Sequence, residues 1–262
     1  VSVSPSSTLG IVLHLYNPYK VEVAYDSGGE GVVVEVDWTV NSEQPSYMYY
    51  IKLTRSGSTY GNYSMQVTIT SQNDANSSGD AGDSFDAALQ LASVNAVYSG
   101  LLKDYDYYDY YNLTIAAGQT LRVSVSPSST LAIILHMYNP NKVQVAYDSG
   151  GEGAIAEADW TVNSEQPSYI YYIKLTHSGS TYGTYSMQVT ITSQNDAYSG
   201  GDAGDSFDAA VQLASANAVY SGFLKDYDYY DYYKLTIAAG QTLHVSVSPS
   251  STLGIVLHLY NP

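Results

Sequence analysis

Residues 1–18 read VSVSPSSTLGIVLHLYNP, and the same sequence returns without a change from Val245 to Pro262. Residues 123–140 form a near copy that differs at three positions. The copies follow each other at a constant spacing of 122 residues. A period this long predicts tandem domains rather than a solenoid of short repeats. We expect the 262 residues to be a segment of a longer array.

The two full copies, 1–122 and 123–244, differ at 19 positions. Most of these differences exchange one apolar residue for another, as at Leu101 and Phe223, which keeps a hydrophobic core filled. The third copy of the opening stretch matches the first copy and not the second. This pattern favours a higher-order repeat of two alternating domains, and local conservation of the opening stretch is the alternative.

The composition narrows the class of protein. The chain has 25 acidic and 9 basic residues and a formal net charge of −16, which argues against a nucleic-acid partner. An acidic surface suits an extracellular protein or one that holds divalent cations. The absence of Cys excludes disulfides and Cys-zinc sites. The sequence contains no long apolar run of the kind that spans a membrane.

Short segments with period-two alternation predict β-strands through most of the chain. For example, one predicted face is shared by Tyr111, Leu113 and Ile115, and another by Leu121, Val123 and Val125, which are predicted to point inward. Turn-forming clusters rich in Ser, Asn, Gly and Pro separate the segments. We therefore predict an all-β protein of tandem antiparallel sandwiches with about eight or nine strands each. Residues 84–93 are predicted to form one short helix or an ordered turn, with Phe85, Leu89 and Leu91 pointing inward.

The predicted domain frame places one complete β-sandwich at 71–192. Residues 1–70 are then the C-terminal part of a preceding repeat, and 193–262 are the N-terminal part of the next. The linker SQNDANSSGDAGD, residues 71–83, is rich in Asn, Asp, Ser and Gly, as inter-domain linkers often are.

Several segments, in this order, carry a resemblance to a known family. They are GDSFDAALQL, SGLLKDYDYYDYYNLTIAAGQTLRVSVS, LHMYNPNK, SYIYYIKL and YGTYSMQVTI. The unit resembles the bacterial and archaeal pre-peptidase C-terminal domain, a jelly-roll-like sandwich related to the collagen-binding domains of clostridial collagenases. The resemblance covers the whole 122-residue unit. It implies a non-catalytic module of a secreted protein, with Ca²⁺ bound beside the N-terminal linker in some members.

Acidic residues cluster in the linker and before a Tyr-rich segment, and the second copy repeats them. Ca²⁺ takes six to eight oxygen ligands, so carboxylates brought together by a fold are candidates to bind it. The resemblance implies the following ligands: Asn73, Asp74, Asp104, Asp106 and Asp109, with Asn195, Asp196, Asp226, Asp228 and Asp231 in the second copy. The alternative is a solvated acidic turn whose Asp residues cap backbone N–H groups.

No motif predicts an enzyme. The sequence lacks G-x-S-x-G, S-x-x-K, H-E-x-x-H and a G-x-G-x-x-G before a helix, so no catalytic residue or organic cofactor is predicted. His14, His136 and His258 occupy one repeated strand position and are predicted to lie at the surface or in a groove. His177 and His244 replace Arg55 and Arg122 of the other copy, which predicts surface cations.

Two further features bear on partners. Asn62, Asn76 and Asn112 lie in N-glycosylation sequons that the second copy lacks.

The chain has 29 Tyr and only 3 Phe. A tyrosine belt at residues 105–111, with Tyr169, Tyr171 and Tyr172, is interpreted as packing on a sheet face, with stacking on sugars or on the next domain as alternatives.

Two functions follow from these observations. The first is a structural repeat of an extracellular fibre, stalk or surface filament, whose partners are neighbouring copies of the same repeat joined head to tail. The alternative is a secreted Ca²⁺-dependent module that binds collagen-like protein or glycan. For the first, the sequence favours one continuous covalent array over donation of Val245–Pro262 to a sheet of a neighbouring subunit.

Overall fold

The computed structural model describes residues 1–40, 47–103, 106–162, 169–225 and 228–261. Within these residues the chain is almost entirely β-structure, apart from two short 3₁₀ turns. The prediction of an all-β protein built from antiparallel sandwiches is confirmed. Among these residues no helix is long and apolar enough to cross a membrane.

The N-terminal part forms six strands in two three-stranded sheets. The strands are β1 (Ser2–Pro5), β2 (Ile11–Tyr16), β3 (Glu22–Gly28), β4 (Val34–Glu35), β5 (Tyr50–Arg55) and β6 (Tyr63–Gln66). One sheet has the order β4-β1-β6 and the other β3-β2-β5. All their pairings are antiparallel, and their apolar faces form one core around Val3, Leu13 and Val34.

The central part forms nine strands. They are β7 (Leu89–Gln90), β8 (Ala96–Leu102), β9 (Tyr108–Ile115), β10 (Gln119–Pro127), β11 (Ala132–Tyr138), β12 (Gln144–Glu152), β13 (Ala156–Thr161), β14 (Tyr169–His177) and β15 (Gly183–Ser193). A four-stranded sheet has the order β13-β10-β15-β8, and a five-stranded sheet has the order β12-β11-β14-β9-β7. Pairing is antiparallel except between β7 and β9.

The core of the central sandwich follows the alternation in the sequence. Leu121, Val123 and Val125 of β10 are fully buried, while Arg122 is exposed. On the facing sheet, Tyr111 and its neighbours two residues apart on β9 point into the same core. The predicted faces of these two strands are therefore correct, because side chains alternate between the two sides of a strand.

Residues 84–93 form an ordered turn followed by β7, so the helical alternative is wrong. Phe85 was predicted to point inward, and the structure instead places its ring half-buried against Tyr110, Tyr138 and Tyr172. These three rings meet Phe85 edge-on, with centroids 5.0–5.1 Å away. Because Tyr110 alternates with the buried Tyr111, this cluster lies on the outer face of the five-stranded sheet.

The C-terminal part has little regular pairing among its described residues. β16 (Val211–Gln212) and β17 (Tyr233–Lys234) form a two-stranded parallel sheet that matches the β7–β9 pairing one period earlier. Apolar residues whose counterparts fill the central core, such as Val245 and Leu257, are exposed here. Val245 and Leu257 are the same residue types as the buried Val123 and Leu135, and no strand among the described residues of this part covers them.

Candidate cation site

An acidic cluster lies where the linker meets the central sandwich. Asp74 begins a 3₁₀ turn at Asp74–Asn76, and Asp80 follows in the loop that leads to β7. Asp106 lies in the turn between β8 and β9, and Asp109 lies on β9 itself. The fold thus gathers carboxylates from three separate segments at one end of the sandwich.

The carboxylates are close enough to share a cation. One oxygen each of Asp74, Asp80 and Asp109 lies within 4.8 Å of the others. The equivalent group in the next copy, formed by Asp196, Asp202 and Asp231, meets the same criterion. Like charges at this separation repel one another unless a proton or a cation lies between them.

Hydrogen bonds hold the first group in place. Asp74 accepts from the backbone N–H of Leu101 at 3.0 Å and from that of Ala81 at 3.3 Å, which ties the linker to β8. Gln72 donates its side-chain amide to Asp106 at 2.6 Å. The hydroxyl of Tyr185, on β15, donates to Asp109.

Several buried carboxylate oxygens have no hydrogen-bond partner among the residues that the structure describes. They include Oδ1 of Asp80, Asp106 and Asp109. Asp106 and Asp109 are both fully buried, so water does not satisfy these atoms from the surface. An unpaired charge in such a position is costly unless it binds a metal ion or takes up a proton.

The pKa values of these carboxyl groups are raised, which also reflects the cost of burying several negative charges together. Burial and the neighbouring carboxylates raise the pKa of Asp74 to about 7 and that of Asp106 to about 8. Burial, followed by the charge of Asp74, raises the pKa of Asp109 well above its ordinary range. In the absence of a cation these groups therefore retain protons near neutral pH.

The structure brings together part of the predicted ligand set. Asp74, Asp106 and Asp109 take part in the cluster, whereas Asp104 lies outside the described residues. Asn73 is exposed, and its side-chain oxygen accepts from the backbone N–H of Ser78 at 2.8 Å, so it closes the linker loop. Sequence reasoning noted Asp80 in the acidic stretch and did not select it as a ligand, although it is central to the cluster.

The second copy repeats most of this arrangement. Asp196 begins the equivalent 3₁₀ turn, and Gln194 donates to Asp228 at 2.8 Å. Burial is the main cause that raises the pKa of Asp196 to about 7, of Asp228 to about 6 and of Asp231 to about 7. Asn195 closes its loop through Gly200, as Asn73 does through Ser78, and Asp226 lies outside the described residues.

The three sequon asparagines differ in their surroundings. Asn62 and Asn76 are exposed. Asn112 is half-buried, and its side-chain amide donates to the carbonyl of Ala88 at 2.9 Å. A glycan on Asn112 would be attached to a nitrogen that is half-buried and already donates this hydrogen bond, whereas Asn62 and Asn76 are exposed.

The histidines divide into two groups. His136 is stacked between Tyr138 and Tyr147, with ring centroids 6.1 and 6.2 Å away, and His14 has the same neighbours in the first copy. His244 is exposed, as predicted. The prediction that His177 is a surface cation is wrong, because it is 8% exposed and packs against Tyr107 and Tyr182.

The tyrosine belt is split between the two faces of the sheet. Tyr111 and Tyr171 are buried in the core, and Tyr110 lies under Phe85. Tyr108 and Tyr169 are exposed, and Tyr105 lies outside the described residues. The belt therefore serves partly as core and partly as surface.

Comparison with known proteins gives one clear relative. The chain is 20% identical over 259 aligned residues to Collagenase ColA of Clostridium perfringens, a match that covers 88% of this chain and 23% of the collagenase. This similarity confirms the resemblance to pre-peptidase C-terminal repeats of the collagenase type. The chain spans about a quarter of the length of that curated relative. No protein-family profile matches the chain.

Two solved structures are similar over shorter stretches. The pre-peptidase C-terminal domain of collagenase from Bacillus anthracis is 18% identical, with a TM-score of 0.34 over 39% of this chain and 93% of that one. The lysozyme inhibitor PliG of Salmonella Typhimurium is 24% identical, with a TM-score of 0.29 over 40% of this chain and 96% of that one.

Proposed function

We propose that this chain is a non-enzymatic structural segment of an extracellular fibre, stalk or surface filament. In this proposal, sandwich repeats are joined head to tail along the chain, with 71–192 as one complete repeat between parts of its neighbours at 1–70 and 193–262. Neighbouring copies of the repeat are then its main partners. A divalent cation at each acidic cluster fixes the linker to the sandwich that follows it.

The observation that carries the proposal is an ion pair that recurs at both junctions between repeats. Lys103 of the central part lies 3.5 Å from Asp37 of the N-terminal part. Lys225 of the C-terminal part pairs with Asp159 of the central part, and both residues are one period further on. Exposed ion pairs stabilise a fold by only about 0–1 kcal/mol, so this pair indicates a constant geometry more than a strong junction.

The donor set of the cluster fits Ca²⁺. It consists of carboxylate oxygens, which are the ligands that hard cations prefer, and some of these oxygens are buried with no partner in the described part of the chain. Asp74, Asp80, Asp106 and Asp109 would hold the ion in the first site, and Asp196, Asp202, Asp228 and Asp231 in the second. Bound Ca²⁺ would neutralise the carboxylates.

A cation here would also restrain the linker. Asp74 belongs to the linker and Asp109 to β9, so one ion bound by both joins the two segments. Ordering a flexible segment costs roughly 1–2 kcal/mol per residue in backbone entropy. Cation binding offsets part of this cost, which makes the angle between consecutive repeats less variable.

The test compares metal-free and Ca²⁺-loaded chain by thermal melting and small-angle X-ray scattering. Ca²⁺ is expected to raise the melting temperature and to narrow the range of molecular dimensions, because it binds only the folded state. An Asp109→Asn variant should lose most of this response. The matched control is Asp86→Asn, which removes an exposed carboxylate outside the cluster. A chain whose melting and scattering are unchanged by Ca²⁺ would refute the proposal.

A second candidate function is binding of collagen-like protein or glycan, as the similarity to a clostridial collagenase suggests. The favouring observation is the row of stacked rings formed by Tyr138, His136 and Tyr147, in which Tyr147 is exposed. Exposed aromatic rings stack on sugars and on peptide surfaces. Binding of triple-helical peptide or glycan that is lost in Tyr147→Ala would support this function.

A secreted protein with this role would carry any N-glycan on Asn62, Asn76 or Asn112. The second copy has Thr184, Tyr198 and Lys234 at these positions, so sugar would mark alternate repeats. Intact-mass measurement of the chain after export from a eukaryotic host, followed by peptide mapping, tests this expectation. Equal sugar on both copies would contradict it.

A further inference from the structure

The turn at residues 116–119, which links β9 to β10, lies against the repeat that follows it. A Cβ atom built on Gly118 would be 2.9 Å from Cβ of Asp202 and 3.8 Å from the side-chain oxygen of Gln194. The carbonyl of Gly118 also accepts a hydrogen bond from the backbone N–H of Gln194 at 3.4 Å. Two residues of the next repeat therefore pack on the backbone of this turn.

A second contact with the next repeat lies on the same edge of the central sandwich. Asp159 of β13 pairs with Lys225 across the junction. β13 pairs with β10, and the backbone N–H of Gly118 donates to the carbonyl of Val162, just after β13, at 3.0 Å. Because these hydrogen bonds connect the turn to β13, the two contact points belong to one continuous edge.

Three loop segments that build the second acidic cluster touch this edge. The linker touches it through Gln194, which is 8% exposed and donates to Asp228 at 2.8 Å. The next loop touches it through Asp202, which is itself a member of the cluster. The turn that carries Asp228 touches it through Lys225, whose carbonyl accepts from the backbone N–H of Asp228 at 3.0 Å. The cluster is therefore assembled against the preceding sandwich as well as within its own repeat.

Oxygen atoms at this contact are buried and have no hydrogen-bond partner within the described part of the chain. They are Oε1 of Gln194 and both carboxylate oxygens of Asp202. Burying a carboxylate with neither oxygen bonded is costly unless a cation or a proton compensates its charge. A cation in the cluster therefore removes a cost that closing the junction would otherwise carry.

We propose that the turn at 116–119 closes over the cation site of the next repeat, so that cation binding at the second cluster and closure of the junction favour each other. Such coupling is reciprocal, because each event changes the free energy of the other by the same amount. The inference rests on the proposed cation-stabilised array. It adds that the sandwich before a linker, and not only the one after it, sets the affinity of the site.

Calcium titration tests this coupling through Gly118, a residue that supplies no ligand to the cluster. The Asp109→Asn background removes the central site and leaves the second cluster to bind Ca²⁺. In this background Gly118→Ala is expected to lower the Ca²⁺ affinity about 10-fold, as is usual for coupled sites, because the added Cβ atom forces Asp202 away from the turn. Isothermal titration calorimetry of the whole chain measures the affinity.

The matched control is Gly240→Ala, one period later. Gly118 and Gly240 have φ angles of +67° and +84° in turns with equivalent hydrogen bonds, so alanine meets similar backbone strain at both positions. A Cβ atom on Gly240 would contact no other described residue. This variant should therefore leave the Ca²⁺ affinity of the second cluster unchanged.

Hydrogen exchange measures the coupling in the opposite direction. The N–H of Gln194 bonds to Gly118 across the junction, so Ca²⁺ should slow its exchange in the same Asp109→Asn background. If Gly118→Ala fails to fold, Gly118→Asn takes its place, since asparagine adopts a positive φ more readily and still adds a Cβ atom. If Asp109→Asn fails to fold, the weaker phase of a titration without it gives the same comparison.

Three results would each overturn the inference. They are equal affinities in the Gly118→Ala and Gly240→Ala chains, exchange at Gln194 that Ca²⁺ does not change, and a second cluster that binds no Ca²⁺. These results are separable from failure of the proposed function. Melting and scattering that respond to Ca²⁺, with equal affinities in the two glycine variants, would preserve the proposed function alone. A lower affinity in Gly118→Ala, with scattering that does not respond to Ca²⁺, would preserve the coupling alone.

Discussion

The acidic clusters around Asp109 and Asp231 have nearly the same sequence and different surroundings. Asp109 is fully buried, because β15 covers it and Tyr185 donates to it. Asp231 is half-buried and accepts a hydrogen bond from the hydroxyl of Tyr233 at 3.3 Å. The two copies have the same aspartates, but β15 covers only the first cluster.

This difference shows that the properties of the site come from the whole sandwich. The linker and the first strands of a repeat bring the carboxylates together in both copies. Strands more than 70 residues further along the chain decide how deeply the carboxylates are buried. The carboxylates of such a cluster are therefore fully buried only where a strand equivalent to β15 lies over them.

The largest difference between the central and C-terminal parts is expected in how much the loss of a core leucine lowers stability. Leu135→Ala should destabilise the central sandwich by about 2–5 kcal/mol, because Leu135 is fully buried and its removal leaves a cavity. The matched change, Leu257→Ala, alters an exposed residue and should shift stability by no more than about 0.5 kcal/mol. Denaturation of the whole chain followed by circular dichroism measures both. Equal effects would mean that the C-terminal part is as well packed as the central one.

The next largest difference between the two clusters is expected in the stability that each gains from bound Ca²⁺. At a free Ca²⁺ concentration of 100 times Kd, binding to the folded state stabilises it by about 2.7 kcal/mol. Asp109→Asn should abolish this gain in the central sandwich, while Asp231→Asn should leave it unchanged. Melting curves in Ca²⁺ and after its removal provide the measurement. Equal losses in the two variants would argue against the difference between the clusters.

A smaller difference is expected at a pair of glycines. A Cβ atom at Gly100 would overlap the buried ring of Tyr185, so Gly100→Ala should cost about 1–3 kcal/mol. A Cβ atom at Gly222 would lie 2.8 Å from the hydroxyl of Tyr233 and 3.1 Å from Oδ2 of Asp231, which are the tips of side chains and not a buried ring. Gly222→Ala should therefore destabilise the chain less than Gly100→Ala. The same denaturation assay compares the stability of Gly100→Ala with that of Gly222→Ala.

The two clusters should differ least in their response to pH. Their carboxyl pKa values are raised in the folded state, from 3.8 to about 7 for Asp74 and Asp196 and to about 8 for Asp106. The stability that protonation provides is therefore complete below about pH 4 and is lost as the pH rises through 7 to 8. Metal-free chain should melt at a lower temperature at pH 8 than at pH 5.

Added Ca²⁺ should reverse this trend, since it binds the ionised carboxylates. Melting temperatures measured between pH 5 and 8, with and without Ca²⁺, test both statements. Metal-free chain that becomes more stable as the pH rises over this range would contradict the origin assigned to the raised pKa values.

Sequence analysis predicts the strands well, because alternation and turn-forming residues are local signals. The inward faces of β9 and β10 follow directly from them. The same alternation places His177 on the inward side of β14, with Tyr171, Ile173 and Leu175. The prediction of a surface cation failed because it relied on the exchange with Arg55, which is exposed beside the open edge of β5.

The site was less predictable than the strands. Spacing along the chain does not show which loops converge, so the central role of Asp80 becomes visible only in the fold. Phe85 was misplaced for a related reason. An aromatic residue in a turn packs on whichever sheet face the turn crosses, and here that is the outer face with Tyr110 and Tyr138.

Calorimetric titration of Ca²⁺ into metal-free chain tests the central claim most directly. We expect two bound ions per chain with unequal affinities, and loss of the tighter one when Asp109→Asn is added. Absence of binding would contradict the cation sites, and two equal affinities would contradict the dependence of each site on a complete sandwich.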